Sequence, residues 1–409
     1  MAKEHKDWVV GLDIGSAKVM VVIAEIMAGD HLRVAGTGIA PNQGVKHGVI
    51  NNMEATVRSI QHALKEAEAM AKYKITQVCL GITGSHIWCR NSSGLVPLTG
   101  HEVSYADVLS LEVSAKTVPI ANDQRLLLVR PQEFVLDGQT VKDPVGMSGV
   151  RLEAKVHLVM GANSAVENVM RCARRCGLDV AQLVLNPMAS SLSVLTEDEC
   201  EQGVALVDMG EGTIDVAIFF KGALRHTAVI SVASGFITSD IAAALRTSTA
   251  NADNIKLTNG YALQSLADPD VQVEVPSAGN HGSLSISRQV LAGVIEPRVS
   301  EIFHLVQEVI RDSGYSTTLR SGIVLTGGGC VMPGMVELCE QMCLTQVRRG
   351  VPHYTGELSD LVVQPHASTV MGLLEEARMA YLRDHRMAMK NGWLNKALRT
   401  VQDWFGRNF

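Results

Sequence analysis

The fold is decided by the stretch VVGLDIGSAKVMVVIAEI at residues 9–26, which has the pattern of a strand, a tight turn and a second strand. Residues 201–221, EQGVALVDMGEGTIDVAIFFK, repeat that pattern. Aligned on Asp13 and Asp208, both copies have an apolar strand, Asp-x-Gly, a small or hydroxyl residue and another apolar strand. A repeat 195 residues apart indicates duplication of a whole α/β domain.

Length and composition limit the class of protein. With 409 residues, the chain has room for two to three domains, and 46% apolar against 19% charged residues is typical of a globular protein. The net charge of −6 disfavours a nucleic-acid partner. The charged residues 3–7 do not resemble a signal peptide, so we expect a cytosolic body. No apolar stretch is long enough to span a membrane, so any membrane contact would be peripheral.

Helices and strands alternate between the two hairpins. Periodicity predicts helices at 53–70 and 164–176 and strands at 78–82 and 183–185. Two intervals depart from that rhythm, and we interpret both as inserted subdomains. In the first, Ser104 and Asp107 resemble a capping box, and the predicted strands are 125–130, 133–136 and 150–159. In the second, predicted helices at 239–245 and 290–311 precede a strand with its glycines at 322–329.

Both hairpin turns have the residues that a polyphosphate requires. Backbone N–H groups can point at phosphate only where no side chain obstructs them, which favours glycine. Asp13 and Asp208 end facing strands and would hold Mg²⁺ through its waters, and Lys18 would add a positive charge. The predicted phosphate-binding residues are Gly15, Ser16, Ala17, Lys18, Gly210, Gly212 and Thr213.

A third glycine-rich turn completes the pattern. Gly327, Gly328 and Gly329 follow an apolar strand and would allow close approach of an adenosine. They do not match GxGxxG, so a dinucleotide fold is disfavoured. One hairpin alone would be an ordinary turn, but two copies in register and the triple glycine together predict a nucleotide site. The eight scattered cysteines predict reduced thiols and no zinc site.

The last eighteen residues, GWLNKALRTVQDWFGRNF at 392–409, predict an amphipathic helix. Its apolar face and the basic residues beside it suit the surface of a membrane, although packing on the core or on a partner helix is the alternative. A polar linker at 377–391 would let the helix leave the body. The residues predicted to contact the membrane are Trp393, Leu394, Lys396, Leu398, Arg399, Val401, Trp404 and Phe405.

Together, GLDIGSAKV, VDMGEGTIDV and LTGGG resemble the two phosphate motifs and the adenosine motif of the actin/Hsp70/sugar-kinase superfamily. Within it, PQEFVLDG, KDPVGMSGVRLEAKVHLVMG, SSLSVLTEDE, GALRHTAVI and VIEPR resemble the family of actin-like bacterial cell-division proteins over nearly the whole chain. The resemblance implies duplicated RNase H-like α/β domains with inserted subdomains, binding ATP or ADP with Mg²⁺. It also implies an adaptor that forms filaments on the cytoplasmic side of the inner membrane and anchors FtsZ there at the division site.

The resemblance also supplies domain boundaries and contact residues. Gly235, Asp253 and Lys256 would touch the nucleoside, although Asp253 and Lys256 could equally be an exposed ion pair. Arg298 would contact the C-terminal peptide of FtsZ, and the first insert would mediate subunit contacts and bind a later division protein such as FtsN. The expected units are 1–84 with 161–197 (1A), 85–160 (1C), 198–236 with 301–376 (2A), 237–300 (2B), the linker 377–391 and the helix 392–409.

Two residues depart from the superfamily pattern. Glu211 stands where many members have glycine, and its carboxylate would either weaken phosphate binding or simply point outward. Asn186 stands where chaperones place a glutamate, and an amide cannot act as a general base, so we predict at most weak ATP hydrolysis and assign no catalytic residue. The alternatives of the same fold are a small-molecule kinase and a pilus-assembly adaptor.

Overall fold

The computed structural model describes residues 7–98, 102–277, 283–383 and 385. None of the described helices is long and apolar enough to cross a lipid bilayer. The predicted membrane helix 392–409 and the linker residues 386–391 lie outside the described residues.

The first half is built on a five-stranded sheet. Its strands are Trp8–Ile14 (β1), Lys18–Ile26 (β2), Leu32–Pro41 (β3), Gln77–Ile82 (β6) and Asp179–Leu185 (β11). They lie in the order β11-β6-β1-β2-β3, with β1, β2 and β3 antiparallel and β6 and β11 parallel to β1. A short hairpin of Val45–Lys46 (β4) and Val49–Ile50 (β5) follows β3.

Helices Met53–Ala71 (α1) and Asn163–Arg175 (α3) cover one face of this sheet. Both confirm the predicted helices. Asn52 caps α1 by accepting a hydrogen bond from the Ala55 N–H, and the helix ends at Lys72, which has a left-handed backbone. The apolar side chains at helical spacing, such as Ile60 and Leu64, are buried against the sheet.

The first insert is a separate four-stranded sheet with one helix. Its elements are Ile87–Pro97 (β7), Tyr105–Ala115 (α2), Gln124–Leu136 (β8), Gln139–Val141 (β9) and Arg151–Ala162 (β10). The strand order is β7-β10-β8-β9. The capping box is confirmed, because the Ser104 N–H donates to the Asp107 carboxylate and the Asp107 N–H to the Ser104 hydroxyl.

The prediction of two strands at 125–130 and 133–136 is wrong, since β8 is continuous. The register against β10 pairs Glu133 with Lys155 and Pro131 with Val156, so Gln132 is left out as a bulge. A bulge accommodates the missing N–H of Pro131 without ending the strand.

The second half repeats the topology of the first. Its strands are Val204–Met209 (β12), Ile214–Phe220 (β13), Ala223–Ile230 (β14), Ile323–Thr326 (β17) and Val347–Arg349 (β18), in the order β14-β13-β12-β17-β18. That order matches β3-β2-β1-β6-β11, which confirms the duplicated α/β fold. The predicted strand at 322–329 ends at Thr326, because Gly327 turns the chain with φ of 82° and residues Gly328–Val331 form a 3₁₀ turn.

The remaining helices pack around the second sheet and between the halves. They are Asn186–Val194 (α4), Glu197–Gln202 (α5), Ser234–Leu245 (α6), Thr249–Asn259 (α7), Arg288–Asp312 (α8), Met335–Cys343 (α9), Ser359–Val362 (α10) and 368–383 (α11). A hairpin of Gln272–Pro276 (β15) and Ser283–Ser287 (β16) precedes α8. Helix α6 begins five residues before the predicted 239–245, and α8 confirms the prediction at 290–311.

Helix α11 corrects the predicted linker. Residues 377–383 continue the helix instead of beginning a linker, since Ala377 packs on the core and Arg378 bonds to Glu375 and to the Asp30 carbonyl. Composition suggested a linker because this segment is polar, but its inner face is anchored. Val370, Met371 and Leu374 fill the face of the first sheet opposite α1.

Candidate functional site

A cavity of about 650 Å³ lies between the two hairpin turns, within the range of small-ligand sites. It is lined by both turns, by the glycine-rich turn after β17 and by α7. The predicted residues that line it are Asp13, Gly15, Ser16, Ala17, Lys18, Asp208, Gly210, Gly212, Thr213, Asp253, Lys256, Gly327, Gly328 and Gly329. Residues from distant parts of the chain therefore converge on one cleft.

The two hairpin turns have the same backbone bonding. The Gly15 N–H donates to the Lys18 carbonyl and the Gly210 N–H to the Thr213 carbonyl, each at 2.9 Å. The turns also touch, because a methyl group on Gly212 would overlap the Ser16 hydroxyl. Glycine is therefore required at 212 for the close approach of the two loops.

Asp13 and Asp208 both line the cleft; Asp208 is buried and Asp13 is partly buried. Burial, followed by the charge of Asp208, raises the pKa of Asp13 to about 6, while Lys18 and Asn186 oppose that rise. The pKa of Asp208 is also raised by burial, against hydrogen bonds from Ser190 and Thr369. Among the described residues neither carboxylate forms an ion pair within 4 Å, and two such oxygen ligands fit a Mg²⁺ ion held mostly through water.

The Lys18 ammonium is held at the edge of the same cleft. Its Nζ donates to the His366 carbonyl at 3.1 Å, and burial lowers its pKa to about 8 against the charges of Asp13 and Asp208. Burial and the Lys18 charge lower the pKa of the His366 ring to about 4, so that ring is neutral at pH 7. A phosphate in the cleft would give Lys18 a further anionic partner beside Asp13 and Asp208.

The glycine-rich turn approaches the carboxylates directly. Gly327 has φ of 82°, and a methyl group there would overlap the Asp208 carboxylate and lie 2.6 Å from the Met209 carbonyl. A methyl group on Gly329 would be 2.9 Å from the same carbonyl. The absence of side chains at Gly327 and Gly329 thus lets the turn pack directly against β12 while the turn still lines the cavity.

Asp253 and Lys256 form an ion pair at 2.8 Å, but it is not an ordinary surface pair. Only 9% of the Lys256 side chain is exposed, against 46% of Asp253. Thr238 links them, accepting from Lys256 Nζ at 2.7 Å and donating to Asp253 at 3.1 Å. A half-exposed carboxylate fixed at the cavity wall can accept hydrogen bonds from ribose hydroxyls.

Gly235 and Glu211 differ from expectation. Gly235 is not a lining residue of the cavity; its N–H donates to the Glu211 carbonyl at 2.9 Å, and a methyl group there would press on that oxygen. Gly235 therefore positions the second turn instead of a ligand. The Glu211 side chain does line the cavity, and burial raises its pKa against the attraction of Lys256.

Several cleft residues escaped the sequence interpretation. Asp215 pairs with Asp208 across β12 and β13, and Thr83, which follows β6, donates a hydrogen bond to its carboxylate. Burial raises the pKa of Asp215 well above its usual range. Asn42 donates from Nδ2 to the Gly15 carbonyl at 2.8 Å. Asp215 could have been found by counting hairpin register from Asp208, but Thr83 and Asn42 carried no such signal.

Arg298, the predicted partner contact, lies on α8 away from the cavity lining. Its Nε and an Nη donate to Asp240 at 2.5 and 3.1 Å, and another Nη donates to Glu301. Its guanidinium also stands 5.5 Å from the centre of the Phe236 ring. The charge is therefore paired within the fold, and 23% of the side chain remains exposed.

Comparisons with known proteins agree with this architecture. A family model described as "Cell division protein FtsA" matches residues 205–372, and one described as "SHS2 domain inserted in FTSA" matches 84–160. The chain is 48% identical to cell division protein FtsA of Pseudomonas aeruginosa, covering 90% of this chain and 88% of the relative. It is 40% identical to that of Escherichia coli K12, covering 98% of each.

Solved structures share the fold at low identity. The PilM-PilN type IV pilus biogenesis complex superposes with a TM-score of 0.66 at 16% identity, covering 90% of this chain and 98% of that one. MreB5 of Spiroplasma citri bound to ADP superposes with a TM-score of 0.55 at 14% identity, covering 94% and 98%. At these identities the likeness concerns the actin-like fold alone.

Proposed function

The chain belongs to the FtsA family of cell division proteins, and from that premise we propose that it binds ATP or ADP in the cleft and anchors FtsZ to the membrane. The sequence relatives at 40–48% identity are cell division proteins, whereas the pilus biogenesis complex, at 16% identity, shares the fold alone, so neither supports the kinase or pilus-adaptor alternative. The actin-like role in cell division is common to the family. What we propose for this chain is its nucleotide ligand, its protein partners and its contact with the membrane.

One observation carries the nucleotide assignment. Two turns with the same bonding, Gly15–Lys18 and Gly210–Thr213, meet across one cavity, so the glycine-containing backbone of both halves borders the same space. Lys18 supplies a positive charge there, and the glycine-rich turn and Asp253 bound the opposite wall. The solved relative of this fold, MreB5, is described as bound to ADP.

Asp13 and Asp208 would hold the Mg²⁺ that accompanies the phosphates, through water. The described residues contain no group of three His, Cys, Asp or Glu side chains arranged to bind a metal directly. Mg²⁺ retains several waters and needs one or two carboxylates, which suits this pair. The ion would neutralise the charge that burial makes costly at both carboxylates.

Hydrolysis should be weak. Asn186, at the start of α4, donates from Nδ2 to Asp13 at 3.4 Å, while its Oδ1 is buried without a partner. An amide oxygen can orient a water but cannot accept its proton permanently, so it is no general base. The nucleotide would then act chiefly by joining the two halves.

The remaining assignments rest on the family. We propose a filament of this chain on the cytoplasmic side of the inner membrane at the division site, attached through 392–409. The surface near Arg298 would receive the FtsZ C-terminal peptide, and the first insert would contact neighbouring subunits and later proteins such as FtsN. We retain the unit boundaries 1–84 with 161–197, 85–160, 198–236 with 301–376 and 237–300.

Calorimetric titration with Mg-ATP tests the cleft. The wild-type chain should bind, and Lys18→Ala should weaken binding at least tenfold because a desolvated phosphate contact is lost. Lys65→Ala, an exposed lysine on α1, is the control and should bind as the wild type does. Absence of binding by the wild type, or equal binding by Lys18→Ala, would overturn the assignment.

A second measurement tests the anchor. A labelled FtsZ C-terminal peptide should show increased anisotropy with the full chain on anionic vesicles, and Arg298→Glu should weaken that binding. Arg311→Glu, an exposed arginine of the same helix, serves as the matched control. Unchanged peptide binding by Arg298→Glu would remove this residue from the site.

A further inference from the structure

His47 joins the two halves across the cleft. It lies in the turn between β4 and β5 of the first half, and its Nδ1 is 3.1 Å from the Gly212 carbonyl of the second half. Its ring also stands 5.8 Å from the Phe236 ring of α6, tilted by 31°. Because a carbonyl oxygen only accepts, the contact requires a proton on Nδ1.

These contacts lie at the edge of the cavity. The neighbour of His47, Gly48, lines the cavity, and so does its partner Gly212. The Gly48 N–H also reaches the Ser16 hydroxyl at 3.4 Å. A methyl group on Gly212 would overlap the Ser16 side chain and lie 3.1 Å from the backbone nitrogen of His47, so the two loops are already in close contact at this point.

The backbone of His47 and the ring of Phe236 are each held by contacts within their own halves. His47 has a left-handed backbone with φ of 49°, and its carbonyl accepts from the Ser85 N–H at 3.3 Å. Phe236 lies beside the Arg298 guanidinium, which Asp240 fixes with two hydrogen bonds. The loop that carries His47 and the ring that it contacts are therefore both positioned by their own halves, which lowers the ordering cost of the contact.

We propose that His47 is a latch that keeps the cleft closed and slows the release of bound nucleotide. The inference rests on the proposed nucleotide site and adds its regulation. A ligand held between both turns can leave when the halves separate at this edge, and that separation must break the His47 contacts with Gly212 and Phe236. His47 itself is not a lining residue of the cavity, so it acts as a positioning residue and not as a nucleotide contact.

Loss of the latch should change release more than stability. Losing the hydrogen bond and the ring contact together, at a half-exposed edge, corresponds to about a fivefold change in rate, and losing the ring contact alone corresponds to a smaller change. The rest of the interface between the halves, including the Thr83 bond to Asp215, remains intact in such a variant. The folded chain should therefore persist while the cleft opens more often.

The experiment measures dissociation of a fluorescent ATP analogue, loaded with Mg²⁺ and displaced by excess ATP in stopped flow. His47→Ala should release it about fivefold faster, and Phe236→Leu, which loses only the ring contact, should release it faster than the wild type but by less than fivefold. The double variant should be little faster than His47→Ala alone, since both changes remove parts of one contact. His62→Ala, which removes an exposed histidine paired with Glu66, is the matched control and should match the wild type.

Release from His47→Ala at the wild-type rate, in a protein with an unchanged melting temperature, would overturn the latch. Failure of the wild type to bind nucleotide would instead overturn the proposed function. Hydrogen exchange of residues 45–50 in nucleotide-free protein separates these cases. Faster exchange there in His47→Ala than in His62→Ala supports the latch without any ligand, and equal exchange contradicts it.

Discussion

Asp208 on β12 and Asp215 on β13 are directly paired across the second hairpin, and both carboxylates lie at the floor of the cleft. The first hairpin does not repeat this pair, because the residue opposite Asp13 is Met20, which is fully buried in the core. The duplication therefore kept one carboxylate per hairpin and diverged at the other position. The additional carboxylate of the second hairpin, Asp215, accepts a hydrogen bond from Thr83 of the first half.

The Thr83–Asp215 bond should stabilise the closed arrangement of the halves. Thr83→Val keeps the size of the side chain but removes the donor, which leaves a buried carboxyl without its partner. We expect the free energy of unfolding to fall by about 1–3 kcal/mol in denaturant titration. Thr83→Ser retains the hydroxyl and should lose less than half of that. Equal stability of the valine and wild-type proteins would contradict the role of this bond.

Gly372 on α11 should not tolerate a methyl group. Replacing glycine by alanine in a helix normally stabilises by about 1 kcal/mol, but a methyl group here would overlap the Ala189 backbone of α4. Gly372→Ala should therefore destabilise by about 3 kcal/mol or more, measured by thermal and chemical unfolding.

Gly293 on α8 provides the control, because a methyl group there would meet only the mobile end of the Gln264 side chain. Gly293→Ala should be neutral or stabilising. If both substitutions had the same effect, the close approach of α11 to α4 would not be the cause.

Asn186 should not support turnover. With an amide in place of a carboxylate, phosphate release by the purified protein with Mg-ATP should be slow, and Asn186→Ala should leave that slow rate within about twofold. A phosphate-release assay under single-turnover conditions checks both values. Rapid hydrolysis that Asn186→Ala abolishes would show that the residue takes part in the chemistry.

His157 on β10 should make stability depend on pH. It is fully buried, bonded to Asn91 at 2.7 Å and to Thr227 of the second half at 3.0 Å. Burial, and then the charge of His226, lowers its pKa to about 4. The unfolded chain, with an ordinary pKa of about 6.5, binds the proton first as pH falls, so stability is present above about pH 6.5 and is lost towards pH 4.

This difference between the folded and unfolded pKa of His157 should lower the free energy of unfolding by about 2 kcal/mol between pH 7 and pH 5. His157→Gln cannot titrate and should show a flatter pH profile in denaturant titration, although its stability at pH 7 is lower. His62→Ala should keep the wild-type profile. A His157→Gln profile as steep as that of the wild type would assign the pH dependence to other groups.

The terminal segment 392–409 should be sufficient and necessary for membrane attachment. Deleting it should abolish co-sedimentation with anionic liposomes and leave nucleotide binding unchanged, since no described cleft residue lies beyond Thr369. Replacing Trp393 and Trp404 by serine should weaken sedimentation in the full chain, because tryptophan favours the headgroup region. Retained sedimentation of the truncated chain would place the membrane contact elsewhere.

Sequence periodicity fixed the local elements well. The turn glycines and the helix α1 follow from spacing and capping within a few residues, so they needed no information from the rest of the chain. The repeat at Asp13 and Asp208 predicted two copies of one α/β unit, but the strand order within each sheet came only from the structure. The predictions were wrong where contacts distant in sequence outweighed the local pattern. The bulge at Gln132 keeps β8 continuous against β10, and the bond from Arg378 to the Asp30 carbonyl extends α11 into the predicted linker.

By itself, the sequence determined that this chain has two copies of one α/β unit with glycine turns suited to phosphate, because these properties depend on neighbours along the chain. Tertiary structure alone decided that Gly235 supports a loop, that Arg298 is paired with Asp240, and that the His47 ring contacts the Gly212 carbonyl. Each of those depends on side chains brought together from positions far apart in sequence. No local pattern encodes such a distance, because it is set only when the two halves pack against each other.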